Sequence, residues 1–196
     1  MGMSWLEVIG IAVGLSMDAF AVSVCKGLAA GGARPRHMTC VGLWFGFFQM
    51  LMPLIGYFLG GALAGILVSV APWVAFVLLA LIGGNMVLEG IRREENSQSA
   101  DFSPKAMFPL AVATAIDALA TGVAFAAMET AAGAVPGPSS IWAATAVIGV
   151  ITCVLSAVGL KLGSVFGAKY RDGAQIFGGA VLIGIGIKIL AEHLAG

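Results

Sequence analysis

Charge is scarce in this chain: its 196 residues include ten Lys or Arg and ten Asp or Glu, while 60% are hydrophobic. A soluble domain carries about 25% charged residues. Twenty charges cannot wet a surface of this size, and a mean hydropathy of +1.02 excludes a soluble fold. The same composition excludes disorder, and a formal net charge of zero removes any general attraction to nucleic acid. Cysteine is rare as well. Cys25, Cys40 and Cys153 are the only three, and no Cys-x-x-Cys occurs. An ATP-binding motif is also missing, so any work the chain does draws on a gradient.

What is present is apolar sequence in long runs. A helix crossing hydrocarbon needs about 20 apolar residues, and six stretches meet that length: 5–25, 38–60, 72–91, 106–128, 140–162 and 175–194. A spanning β-barrel would alternate apolar and polar residues, whereas Val74–Ile82 and Phe177–Ile187 are apolar throughout. The six spans leave no room for a soluble catalytic domain, so function sits inside the membrane and an enzyme is not expected. No Lys or Arg precedes the first span, which argues against a cleaved signal peptide.

Nine of the ten basic residues fall in alternate connections: Lys26, Arg34 and Arg36; Arg92, Arg93 and Lys105; Lys161, Lys169 and Arg171. The intervening loops, Gly61–Ala71 and Glu129–Ser139, hold none. The positive-inside rule makes the basic side cytoplasmic and puts both termini outside.

The chain also resembles itself. Met17-Asp18-Ala19-Phe20-Ala21 returns as Ile116-Asp117-Ala118-Leu119-Ala120, an offset of 99. Ile55-Gly56 with Gly60 returns as Val158-Gly159 with Gly163, and Ile82-Gly83 with Glu89 as Ile185-Gly186 with Glu192, both at 103. A longer fourth connection accounts for the change of four. Three spans per copy force the second copy to enter from the opposite face, the inverted-repeat plan of many transporters. The expected fold is therefore an all-α integral membrane protein with six transmembrane helices in two inverted three-helix repeats. Residues 1–91 form the first repeat, 106–196 the second, and 92–105 a cytoplasmic linker.

Asp18 and Asp117 fall near mid-depth at equivalent positions. A charge there costs on the order of 2.5–3.5 kcal/mol, so a matched pair points to function rather than to two neutral hydrogen-bonding groups. Thr114, Asp117 and Thr121 share one helical stripe, and Gln49 and Asn85 lie at comparable depth. This oxygen-rich set suits a hard divalent cation such as Mn²⁺, Mg²⁺ or Ca²⁺. Two close carboxylates repel unless a proton or a metal intervenes, which makes the two natural competitors.

Other polar groups read more plainly. Glu7, Glu89, Glu129 and Glu192 sit near span ends, where a solvated carboxylate costs little. Lys188 either snorkels to the outer interface or serves as a counter-ion to an aspartate. His37 and His193 have no ligand-like companion, and the methionines fit packing. A thiol–disulfide conductor would need cysteines at equivalent depth, but Cys25 maps onto Ala124, Cys40 near Ala143 and Cys153 onto Met50. The YD and GxGD contexts of presenilin-type proteases are absent too.

Ser16-Met17-Asp18-Ala19-Phe20-Ala21-Val22-Ser23 with Lys26-Gly27, and Ala113-Thr114-Ala115-Ile116-Asp117-Ala118-Leu119-Ala120, resemble the first- and fourth-helix signatures of the MntP-type manganese efflux pumps. Met52-Pro53-Leu54-Ile55-Gly56, Gly83-Gly84 with Leu88-Glu89-Gly90, and the run Gly178–Gly186 are similar to that family at spans 2, 3 and 6; span 5 matches least. The resemblance implies a bacterial inner-membrane exporter, distantly related to the LysE superfamily. Mn²⁺ would be its transported substrate, with no cofactor. Asp18 and Asp117 would be essential, with Gln49, Asn85, Thr114 and Thr121 as further metal-site candidates. Gln49 stands where some members carry Glu, which implies one fewer charge in this cage. The alternatives are export of cadmium or of an amino acid, and more remotely a membrane thiol-redox role. Lipid is the surrounding partner, nucleic acid is not expected, and the oligomeric state stays open.

Overall fold

A computed structural model describes residues 5–30, 32–92, 101–131, 138–169 and 171–195. Their regular structure is helical throughout: α1 (Trp5–Ala30), α2 (Pro35–Arg92), α3 (Pro104–Thr114), α4 (Ile116–Ala131), α5 (Pro138–Lys169) and α6 (Arg171–Ala195). In hydrocarbon each backbone N–H and C=O must be bonded within its own segment, and a helix does this. Proline opens α2, α3 and α5, where its missing N–H costs nothing and its fixed φ is already helical. Among the described residues, α1, the first part of α2 (Pro35–Leu59) and α5 (Ile141–Gly167) are long and apolar enough to cross a membrane. The pair α3–α4, bent by 43°, makes a fourth such element.

Two expectations are corrected. The connection placed at 61–71 is helical, so that spans 2 and 3 belong to one run of 58 residues. A straight helix would separate Phe45 from Leu79 by roughly 51 Å, yet both belong to one buried cluster with Val22 of α1. α2 is therefore bent. Pro53 and Pro72 inside it each remove a ladder hydrogen bond, the usual cause of a kink. The span placed at 106–128 is not continuous either. It breaks at Ala115, whose N–H turns back to the Val112 carbonyl at 3.2 Å. Most of the expected linker and of the fourth connection, residues 93–100 and 132–137, lie outside the described residues.

Small residues set the packing. Gly159, Gly163 and Gly167 of α5 stand against the carbonyls of Phe20, Val24 and Leu28 of α1. The numbers rise together, so these helices run parallel. Gly42 and Gly46 meet Cys153 and Gly149, and Gly149 meets Met50, so the first part of α2 crosses α5 antiparallel. Gly56 abuts Leu119 and Gly122 abuts Pro53, which seats α4 on the same part of α2. Further on, Gly83 meets Gly179 and Leu182, while Gly186 meets Phe76 and Leu79, an antiparallel contact with α6.

Ahead of α3 the Asp101 carboxylate accepts from the Ser103 N–H at 2.8 Å and from its hydroxyl at 2.9 Å. These bonds hold Asp101 below the usual carboxylate range. Their contribution is present above the ordinary aspartate pKa and is lost only as pH falls through the lowered value. The turn therefore stays formed across physiological pH.

Candidate functional site

The break at Ala115 falls at the level of the paired aspartates. The Ala118 N–H, which an unbroken helix would aim at the Thr114 carbonyl, donates instead to Asp117 Oδ1 at 2.8 Å. Thr114 turns its hydroxyl back to Leu110 and Ala111 at 3.0 and 3.2 Å. The break thus offers the carbonyl end of α3, where the helix dipole is negative, beside one carboxylate. Asp18 on α1 and Asp117 on α4 lie within electrostatic reach of each other, and both are half-buried.

Gln49 completes this layer. Its side chain is 0% exposed, and its Nε2 donates to the Leu15 carbonyl at 2.8 Å. Its Oε1 is buried and has no hydrogen-bond partner among the described residues. Leaving a buried acceptor unpaired costs about 1–3 kcal/mol, so this oxygen is one place where a cation would be welcome. Thr121 points elsewhere, with its hydroxyl on the Asp117 carbonyl at 3.1 Å. Asn85 is on α2 with its side chain outside the described residues, as are those of Glu89, Glu129 and Glu192. Lys188 is exposed on α6. Among the described residues no three His, Cys, Asp or Glu side chains converge.

Apolar clusters lie on both sides of the polar layer. Ala19 and Val22 of α1, Phe45 and Phe48 of α2, and Met107 and Leu110 of α3 belong to one. Ala12, Leu54, Tyr57, Phe125 and Ile148 belong to the other. Along α1 the order is Ala12, then Ser16 and Asp18, then Ala19; along α2 it is Phe48, Gln49, Leu54. The polar groups are a thin stratum between two seals.

A family model described as "Putative manganese efflux pump" matches residues 32–190. The chain belongs to the MntP family. Relatives named "Putative manganese efflux pump MntP" include one from Bifidobacterium adolescentis, 44% identical over 96% of this chain and 97% of its own length. Another, from Mannheimia succiniciproducens, is 47% identical over 93% and 94%. A third, from Campylobacter jejuni, is 42% identical over 98% of both chains. No solved structure matches the chain. The family is one of efflux transporters by its description, not of enzymes.

In this MntP chain two further polar residues join the layer, and sequence reasoning passed over them. Ser16 and Thr152 hydroxyls lie 2.7 Å apart, both 0% exposed, tying α1 to α5. Thr152 stands 103 residues after Gln49, so the internal repeat could have found it. Thr152→Val keeps shape and removes that bond. It is expected to cost about 1 kcal/mol, read as a thermal midpoint lowered by a few degrees in detergent.

Proposed function

We propose that this chain is a secondary transporter that exports Mn²⁺ across the bacterial inner membrane, holding the cation between Asp18 and Asp117 at mid-membrane. The observation that carries the reading is that two carboxylates within electrostatic reach of each other, an orphaned amide oxygen and a freed helix end fall in one layer. Two negative charges balance a divalent cation. The neutral oxygens of Gln49 and the Thr114 main chain supply hard ligands of the kind Mn²⁺ accepts. In this reading Asn85, Thr114 and Thr121 take supporting roles, Thr121 through its hydrogen bond to the Asp117 main chain. A broken helix at such a site is typical of secondary transporters.

Six spans in two inverted repeats, with 1–91 and 106–196 as the halves, fit the packing. Gly56 on Leu119 and Gly159 on Phe20 are the same contact under offsets of 103 and 99. Gly83 on Gly179 and Leu182 likewise corresponds to Gly186 on Phe76 and Leu79. Exposed Trp5 and Trp142 begin α1 and α5, while Lys26, Lys161 and Lys169 lie toward their ends. With α1 and α5 parallel, tryptophans mark one interface and basic residues the other, cytoplasmic one. Both termini are then extracytoplasmic. Alternating access follows from rocking the repeats about the aspartates.

Cys25 supplies no thiolate to this layer. It is buried in the apolar cluster, seven residues or roughly 10 Å of helix rise from Asp18, which argues against cadmium. An amino-acid substrate would set its own carboxylate against two others.

The test is manganese sensitivity and cellular Mn, Fe, Co, Zn and Cd in cells lacking their own exporter. The wild type is expected to lower manganese alone; no change in any metal would end the export reading. Gln49→Leu, similar in shape, is expected to weaken Mn²⁺ affinity about tenfold, checked by transport at graded Mn²⁺.

A further inference from the structure

The mid-membrane layer makes no use of Lys26, a cation only 7% exposed at the end of α1. Its ammonium donates to the Asp101 carbonyl at 2.7 Å and lies 5.2 Å from the centre of the Phe102 ring. His37, from the first turns of α2, stacks on that ring at 4.4 Å with 18° between planes. The Cys40 thiol reaches the Phe102 carbonyl at 3.8 Å. His37 Nδ1 is buried and without a hydrogen-bond partner among the described residues. Phe102 itself packs on the apolar cluster that contains Val22, Val41 and Met107. A non-helical stretch of three residues is thus pinned from α1 and α2, directly ahead of the helix that breaks beside Asp117.

We propose that Asp101–Ser103 is a strap closing the cytoplasmic mouth of the pathway, fastened by Lys26 and His37, which releases to admit the cation. This rests on the export reading above. Its fasteners are main-chain carbonyls and a ring face, contacts that water can replace at modest cost. The strap sets only one large side chain, the half-buried Phe102, against the fold, which puts it at the low-stability end. Lys26 also places a positive charge across the route of a divalent cation, and that charge must be displaced together with Phe102. The groups acting on it are the Asp101 carboxylate, engaged with Ser103, and the Cys40 thiol, while the His37 imidazole shares the Phe102 ring with it. On the other side of the membrane the position equivalent to Lys26 is Phe125, buried among apolar side chains. The two mouths therefore close by different chemistry, the cytoplasmic one by a polar fastener.

The test locks the strap. In a chain carrying Cys25→Ala and Cys153→Ala, Phe102→Cys is paired with the native Cys40, and Mn²⁺ uptake is followed in inside-out vesicles. Oxidation is expected to cut uptake about tenfold, with dithiothreitol restoring it. Complete cross-linking by gel shift with uptake unchanged overturns the proposal. A second readout needs no transport: a cysteine replacing Ala113 is labelled from the cytoplasmic side by an impermeant thiol reagent. Lys26→Met is expected to raise that rate about fivefold, and an unchanged rate overturns the strap. Vesicles of the wild type that take up no Mn²⁺ would defeat export, while the labelling rates still decide the strap.

Discussion

Cells lacking their own exporter and carrying Asp117→Asn are expected to be as manganese-sensitive as cells without the protein, at wild-type membrane levels. The substitution keeps shape and removes one of the two negative charges. In a buried layer the cation then faces one carboxylate, and breaking such a pairing costs about 3–5 kcal/mol, or at least a hundredfold in affinity. Asp18→Asn is expected to match it, and the double variant to add little, because the two carboxylates act as a unit. Protons compete for the same oxygens, so export by the wild type is expected to weaken as cytoplasmic pH falls. Normal export by both Asn variants would move the site away from these residues while leaving a transporter in place. Export insensitive to pH would remove the competition between proton and metal.

Gly56→Val and Gly122→Leu are expected to have the largest effects on folding. A Cβ at 56 meets the Leu119 carbonyl, and one at 122 meets the Pro53 carbonyl. Both obstacles are backbone and cannot swing aside, so α2 and α4 must move apart. Lipid tails give helices no hydrophobic reason to associate, and close packing of small residues supplies the attraction. A loss of about 2–4 kcal/mol is expected, seen as low expression and a thermal midpoint many degrees lower in detergent. Gly84→Ala and Gly184→Ala are the controls, since a Cβ there meets nothing within 4 Å. Equal stability of Gly56→Val and the wild type would mean that the α2–α4 contact is not a close one.

Much of this was legible in the residues. Continuous apolar runs have one solution in lipid, so helices could be placed within a turn or two. The matched Asp-Ala pairs pointed to the layer proposed as the site, because a charge in hydrocarbon needs a reason. The break at Ala115 was not legible. Asp117-Ala118 repeats Asp18-Ala19, but only the second copy is broken. The second copy differs in Thr114, where the first has Leu15, and in Pro109 inside α3. Neither residue marks an alanine as the place of a break, since Ala is the best helix former there is. The helix through 61–71 was missed for the opposite reason: Gly60, Gly61 and Pro72 read as a loop, and propensity is a weak guide. Gln49 was found by depth alone, whereas its orphaned oxygen needed coordinates. Lys26 was counted as a loop cation, because a sequence does not tell a solvated lysine from one whose ammonium rests on a phenyl ring.

Under the inverted-repeat plan proposed above, the crossing of Gly46 on Gly149 shares one property with the Asp18–Asp117 pair. The two glycines are 103 apart, so each is the other's counterpart and the contact is its own image. A motion that exchanged the shapes of the two halves would leave this point where it is, as a fulcrum. Its packing energy is then the same at both ends of the stroke and cannot bias them. On that plan the resting poise is set where the halves are least alike, at Lys26 and its counterpart Phe125. If the proposed plan holds, retuning which way the chain faces at rest is a matter of editing those two positions rather than the crossing.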